Sequence, residues 1–141
     1  MHRRWPAMFL GLGLATAGVG VARHDGGHGA VKPLAAIDID EELDGKASRA
    51  TAVEVSFEPG QVGEAHRHPG PAFGYVLEGE YEWAIDDRPA KVLKPGETFY
   101  EPAGCLHRVS SNPGKTKARI LAWVLHPRDA GEIVVPPGHA E

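Results

Sequence analysis

The sequence predicts an all-β protein, a sandwich or barrel of short strands. Three observations carry that prediction. With 18 Gly and 12 Pro the chain is heavily punctuated, which suits many turns better than long helices. Between these breaks, apolar and polar residues alternate at the period of a half-buried strand. No segment shows a convincing amphipathic helix, and no tandem repeat of fixed period is present.

Taken in order, the elements begin with MHRRWP, a short basic start, followed by AMFLGLGLATAGVGVA, uncharged from Ala7 to Ala22. Small residues at Ala15-Thr16-Ala17 and again at Gly20-Val21-Ala22 give cleavage sites, so 1–22 reads as a signal peptide. The apolar run is shorter than the roughly 20 residues a spanning helix needs. The expectation is a periplasmic or secreted protein, with an uncleaved N-terminal anchor as second choice. Residues 23–49 read as a flexible leader in which His24 and His28 are solvated, with Leu34 to Leu43 an edge strand or a short turn of helix.

The core domain is expected over 50–127. ATAVEVSFEPG puts Val53, Val55 and Phe57 on one side of a strand that Pro59-Gly60 ends. FGYVLEG is a second strand, and YEWAIDD a third with Tyr81, Trp83 and Ile85 on one side. Asp86 to Pro89 forms a turn, AKVL returns, and Pro95-Gly96 turns again into ETFYEP. After the break at Pro102-Ala103-Gly104 come HRVSS, the turn Asn112-Pro113-Gly114, and KARILAWVLH, the longest strand. Residues 128–141 form a C-terminal tail.

The bulk properties bound the function. A chain of 141 residues makes one domain with a real core. A formal net charge of −4 argues against nucleic acid as a partner. The single cysteine, Cys105, permits no internal disulfide and packs as a small buried residue.

The chemistry lies in the histidines. His66 and His68 stand two apart, so on an extended strand both imidazoles share one face and bind one ion as neighbouring ligands. His107 follows the Pro-x-Gly break at the start of another strand and supplies a third ligand from a distant part of the chain. Three imidazoles on one side of a divalent ion leave its other positions open to water, dioxygen or substrate.

These residues resemble the two motifs of the cupins. The first runs Gly60, QVGEA, His66-Arg67-His68, Pro69-Gly70-Pro71, Ala72, FGYVLE, Gly79; the second runs Gly96, ETFYE, Pro102-Ala103-Gly104, CL, His107, with Ser111 and then Asn112 where an asparagine is usual. The resemblance implies a double-stranded β-helix, a jelly-roll barrel, and a homodimer paired through edge strands or N-terminal segments. The chain departs from the pattern at Ala72, where most metal-binding cupins have a glutamate ligand. Three outcomes follow: a three-histidine site like that of the thiol dioxygenases, a substitute ligand such as Glu64 or Glu101, or a site that has lost its metal. Without the glutamate, three neutral histidines leave the ion its full charge and favour an anionic ligand.

Tyr100 and Glu101 are the candidate catalytic side chains. Tyr100 offers a polar handle on the parity opposite Phe99 and Glu101. Glu101 stands where the resemblance expects an apolar residue, and a carboxylate is costly to bury unless paired or metal-bound. Phe73, Tyr75, Trp83 and Trp123 are core residues or the walls of a pocket; Arg67 and Arg108 should point away from the ligands; His126 and His139 are structural or solvent-exposed. The resemblance implies a metal-dependent dioxygenase, isomerase or lyase acting on a small organic acid or phenol. The alternative is a non-catalytic module that binds or senses a small molecule or a metal. The metal is Fe, Mn, Zn, Ni or Cu, export disfavouring easily oxidised Fe(II).

Overall fold

The structure, a computed structural model, describes residues 29–138. The expected signal peptide at 1–22 and the residues His24, His28 and His139 lie outside the described residues. The strands are β1 (Ala30–Leu43), β2 (Lys46–Phe57), β3 (Ala72–Glu78), β4 (Tyr81–Ile85), β5 (Lys91–Leu93), β6 (Thr98–Glu101), β7 (His107–Ser111) and β8 (Ala118–Pro127). No helix occurs among the described residues. All pairings between strands are antiparallel, giving a five-stranded sheet in the order β1-β2-β8-β3-β6 and a three-stranded sheet in the order β5-β4-β7. This is the double-stranded β-helix the motifs imply.

The core lies between the two sheets. Phe57 from β2, Val76 from β3, Tyr81, Trp83 and Ile85 from β4, Phe99 from β6, and Ala118 and Ile120 from β8 form one buried cluster. Alternation along each strand explains which side chains enter it. In β3, Ala72, Gly74 and Val76 point in while Phe73, Tyr75 and Leu77 point out; in β6, Phe99 and Glu101 point in and Tyr100 out. Gly74 is required where β3 crosses the aromatic cluster, because a Cβ there would sit 1.9 Å from Phe99 Cζ. Gly79 ends β3 at φ 73°, where an added Cβ would meet the main-chain oxygen of Lys117 at 2.4 Å.

The sheet extends beyond the span where the alternating pattern is clear. β1 runs for 14 residues as an edge strand and pairs with β2 from Ala30↔Ser56 to Leu43↔Lys46. Asp44 and Gly45, at φ 52° and 71°, make the two-residue turn that joins them, and Asp-Gly suits a turn needing positive φ twice. So residues 30–49, read from sequence as part of a flexible leader with Leu34 to Leu43 an edge strand or a short turn of helix, carry a hairpin continuous with the barrel, and Leu34 to Leu43 lies in its edge strand. Mixed burial on β1 hides its period, and Pro33 is tolerated because it lies on an edge beside a register shift.

Candidate metal centre

The motif segments meet at the barrel's interior face. His66 and His107 form an antiparallel bridge, His66 N–H donating to His107 O at 3.1 Å and His107 N–H to His66 O at 2.8 Å. A directly bridged pair puts both side chains on one face. The Gly104 N–H donates to His68 O at 3.1 Å, continuing this contact past the Pro-x-Gly break. One ring nitrogen from each of His66, His68 and His107 lies within 4.8 Å of the others, a grouping able to hold a metal ion. The convergence expected from spacing is therefore present.

Hydrogen bonds at the back of the rings orient them. His66 Nδ1 lies 2.9 Å from the Glu64 carbonyl, and His68 Nδ1 lies against the Ile133 carbonyl. A carbonyl only accepts, so both Nδ1 atoms donate, and in the neutral rings both Nε2 atoms keep a lone pair. This is the tautomer a metal-binding imidazole needs, fixed by an outer partner. His107 Nε2 lies 3.3 Å from the Tyr81 hydroxyl, which is itself 2.9 Å from Ser110 Oγ. His107 Nδ1 thus faces the cluster, 3.2 Å from His66 Nε2. Burial raises the Tyr81 phenol well above its ordinary range, so it remains a neutral hydrogen-bonding group.

Glu101 lies beside two of the three histidines. It is 1% exposed; its Oε1 accepts from Trp83 Nε1 at 3.0 Å and lies 3.2 Å from His107 Nδ1, while Oε2 lies 3.4 Å from His68 Nε2. Burial pushes its carboxyl up to about 7, with the Trp83 hydrogen bond pulling the other way. A cation held by the imidazoles would lower it. Oε2 has no hydrogen-bond partner, an uncommon state for a buried carboxylate oxygen. Lone pairs and a carboxylate converging on one small volume suit a divalent cation, so the residues present fit the metal that the motifs imply.

Other residues singled out in the sequence fall elsewhere. Tyr100 is 51% exposed and stacks on Phe73, ring centroids 5.2 Å apart, on the outer face of the five-stranded sheet. The structure does not bring it to the histidines. Phe73 and Tyr75, read as core or pocket wall, are also on that face, because the parity that buries Ala72, Gly74 and Val76 turns them out. Trp123 pairs with Phe73 across β3 and β8 and is partly buried. Glu64 is exposed and offers its main-chain carbonyl to His66. Arg67 points away from the ligands and donates to the carbonyls of Pro137 and Gly104; Arg108 donates to those of Asp86 and Arg88. Cys105 packs against the core cluster. His126 is buried, 2.8 Å from Thr51 Oγ1.

Two contributors escaped the sequence reading. Tyr81 was legible as an inward residue but not as the partner of His107. The Ile133 carbonyl belongs to the C-terminal tail, where Val135 bridges to Arg67, and nothing in its local sequence marks it.

A family model for the cupin domain matches residues 53–124. The chain belongs to the cupin family. No sequence among curated proteins matches it. Similar solved structures include an oxalate oxidase, 29% identical with a TM-score of 0.53 over 61% of this chain and 45% of that one. A second is oxalate oxidase in complex with the substrate analogue glycolate, 26% identical with a TM-score of 0.53 over 75% and 53%. A third is the DMSP lyase DddQ of Ruegeria pomeroyi DSS-3, 23% identical with a TM-score of 0.59 over 80% and 54%, a likeness of fold. This cupin covers 45% to 54% of the length of these three chains.

Proposed function

We propose that this cupin is a metal-dependent enzyme acting on a small organic acid, with His66, His68 and His107 holding a divalent ion. The observation that carries the reading is the set of three ring nitrogens within 4.8 Å, backed by main-chain carbonyls and a tyrosine hydroxyl. When bound, the metal supplies Lewis-acid polarisation of an anionic substrate or presents it to dioxygen. The chain's own work is to fix the His66 and His68 rings in the Nδ1–H tautomer, to hold His107 through Tyr81, and to keep a carboxyl group beside His68 and His107. Small carboxylates are favoured by the electrostatics of an imidazole-bound cation and by the likeness to oxalate oxidase with bound glycolate.

The test uses protein loaded in turn with Mn, Zn, Ni, Cu and, anaerobically, Fe. Each is titrated calorimetrically with glycolate and oxalate and assayed for oxygen consumption and for substrate loss. Metal-dependent binding and turnover that His66→Ala abolishes are expected. Binding without turnover under any metal would favour the second reading, a small-molecule-binding module. That reading draws support from the interior, which Phe57, Tyr81, Trp83 and Phe99 fill with tilted rings.

Export and homodimer formation belong to the same proposal. Export rests on the run Ala7 to Ala22. Pairing is supported by the edge position of β1 and by the exposed Phe73, Tyr75 and Tyr100. Mass determination of the N-terminus of the protein recovered from its native host and light scattering of the purified chain check them.

A further inference from the structure

Ala72, where most metal-binding cupins carry their glutamate, pairs directly with Glu101 across the β3–β6 ladder. Both side chains point into the barrel, at 2% and 1% exposure. Directly opposed residues on one face of a sheet have Cβ atoms about 4.5–5.5 Å apart. The Glu101 carboxylate therefore starts one strand away from the position that Ala72 occupies and reaches the same histidines. We propose that Glu101 is a fourth protein ligand of the metal site, supplied by β6 in place of a carboxylate on β3. The inference rests on the metal-dependent reading above and adds a ligand to it.

Three further observations carry it. Glu101 touches two of the three histidines through different oxygens, Oε1 at 3.2 Å from His107 Nδ1 and Oε2 at 3.4 Å from His68 Nε2. It is therefore directed at the space between them, not at one ring. Oε2 is buried, accepts no hydrogen bond and has His68 Nε2 beside it at 3.4 Å, so it faces the cluster. Trp83 donates to Oε1 alone, which fixes the carboxylate plane and leaves Oε2 for the ion. The pairing also accounts for Ala72: two glutamates at opposed inward positions would crowd two negative charges into one ladder step, so the methyl group at 72 belongs with the carboxylate at 101.

The consequence for ligand choice is concrete. With Glu101 bound, a divalent centre carries one net positive charge instead of two. It then suits a monoanionic or singly coordinating small acid better than a dianion held by charge alone.

The experiment titrates Co(II) into the metal-free full chain and records the visible ligand-field spectrum, for the unmodified protein, Glu101→Gln, His68→Ala, and the double variant Ala72→Glu/Glu101→Ala. Gln keeps the shape of the side chain and the acceptor for Trp83. The proposal expects Glu101→Gln to weaken Co(II) binding by more than about 100-fold, beyond what losing an outer partner costs, and to shift the absorption bands. It also expects the double variant to recover binding to within about tenfold of the unmodified chain, since the carboxylate has been moved back to β3. Bands unchanged in Glu101→Gln, whatever the loss of affinity, would overturn it and make Glu101 a positioning residue. If the unmodified protein binds Co(II) and His68→Ala does not, that result leaves the three-histidine reading standing. If the unmodified protein binds no Co(II), both fail together. Should Glu101→Gln show no cooperative melt, the double variant decides, and failure to recover binding in a folded double variant overturns the proposal.

Discussion

His66 and His107, far apart in sequence, are bonded to each other through both main chains, and their facing ring nitrogens lie 3.2 Å apart. At that distance the two rings share a hydrogen bond, and a divalent ion would take the place of its proton. The backbone bridge holds the pair in register. Metal binding to the folded chain should therefore raise stability. Saturating divalent metal at 100 times its dissociation constant adds about 2.7 kcal/mol by mass action. Urea melts with and without metal check this, and His66→Ala should remove most of the difference.

The opposed pair Ala72 and Glu101 gives a second prediction. Ala72→Glu, with Glu101 retained, buries a second carboxylate in the same ladder step. The metal-free protein should lose about 2 kcal/mol, the cost of a polar group buried without its partner. Metal should recover more stability in this variant than in the unmodified chain. Paired urea melts measure both quantities.

Two glycines separate overpacking from backbone obstruction. A Cβ at Gly74 would meet the Phe99 ring, a side chain that would have to shift within its packed cluster, whereas one at Gly70 would lie 1.7 Å from the main-chain oxygen of Leu125. Gly74→Ala should cost about 1–3 kcal/mol. Gly70→Ala should cost more and should also weaken metal binding, because the segment 66–71 is forced away from β8. Thermal melts and Co(II) titration of both variants test the order.

Tyr100 was the polar handle expected from sequence, and the structure puts it on the outer face against Phe73. Tyr100→Phe should leave metal affinity and any turnover unchanged. Tyr100→Ala should cost about 1 kcal/mol through the lost aromatic pair. A fall in turnover with Tyr100→Phe would return this residue to the reaction.

Cys105 supplies a pH prediction. Burial pushes its thiol up to about 11, and the negative charges of Glu101 and Asp86 act in the same direction. The reactive species is the thiolate. Alkylation of the native protein should therefore be slow at pH 8 and climb about tenfold per pH unit through pH 10, where a free thiol of pKa about 8.5 has already levelled off. Iodoacetamide labelling followed by mass spectrometry reads the profile, with the unfolded chain as reference.

Much of this site was legible because its signals are local and periodic. The His-x-His pair, the Pro-x-Gly break before His107 and the alternation of YEWAI each prescribe a face or a turn from a few residues. The unusual nature of Glu101 was legible too, since a carboxylate stood where an apolar residue was expected. Its inward direction was not, because parity in a four-residue strand such as β6 is set by the neighbouring strand and not by its own sequence. The β1–β2 hairpin carried a readable mark in Asp44-Gly45, but the strand before it is exposed on most of its length and shows no period. Ile133 had no mark at all: a main-chain carbonyl is available from every residue, and only the path of the tail selects this one.

The central claim is that His66, His68 and His107 hold one divalent ion. Elemental analysis by mass spectrometry, on untagged protein purified without chelators and on His68→Ala prepared identically, tests it most directly. The account predicts about one equivalent of a single transition metal per chain in the unmodified protein and less than about a tenth of that in the variant. Equal metal in both, or none in either after reconstitution with Fe, Mn, Zn, Ni and Cu, would contradict it.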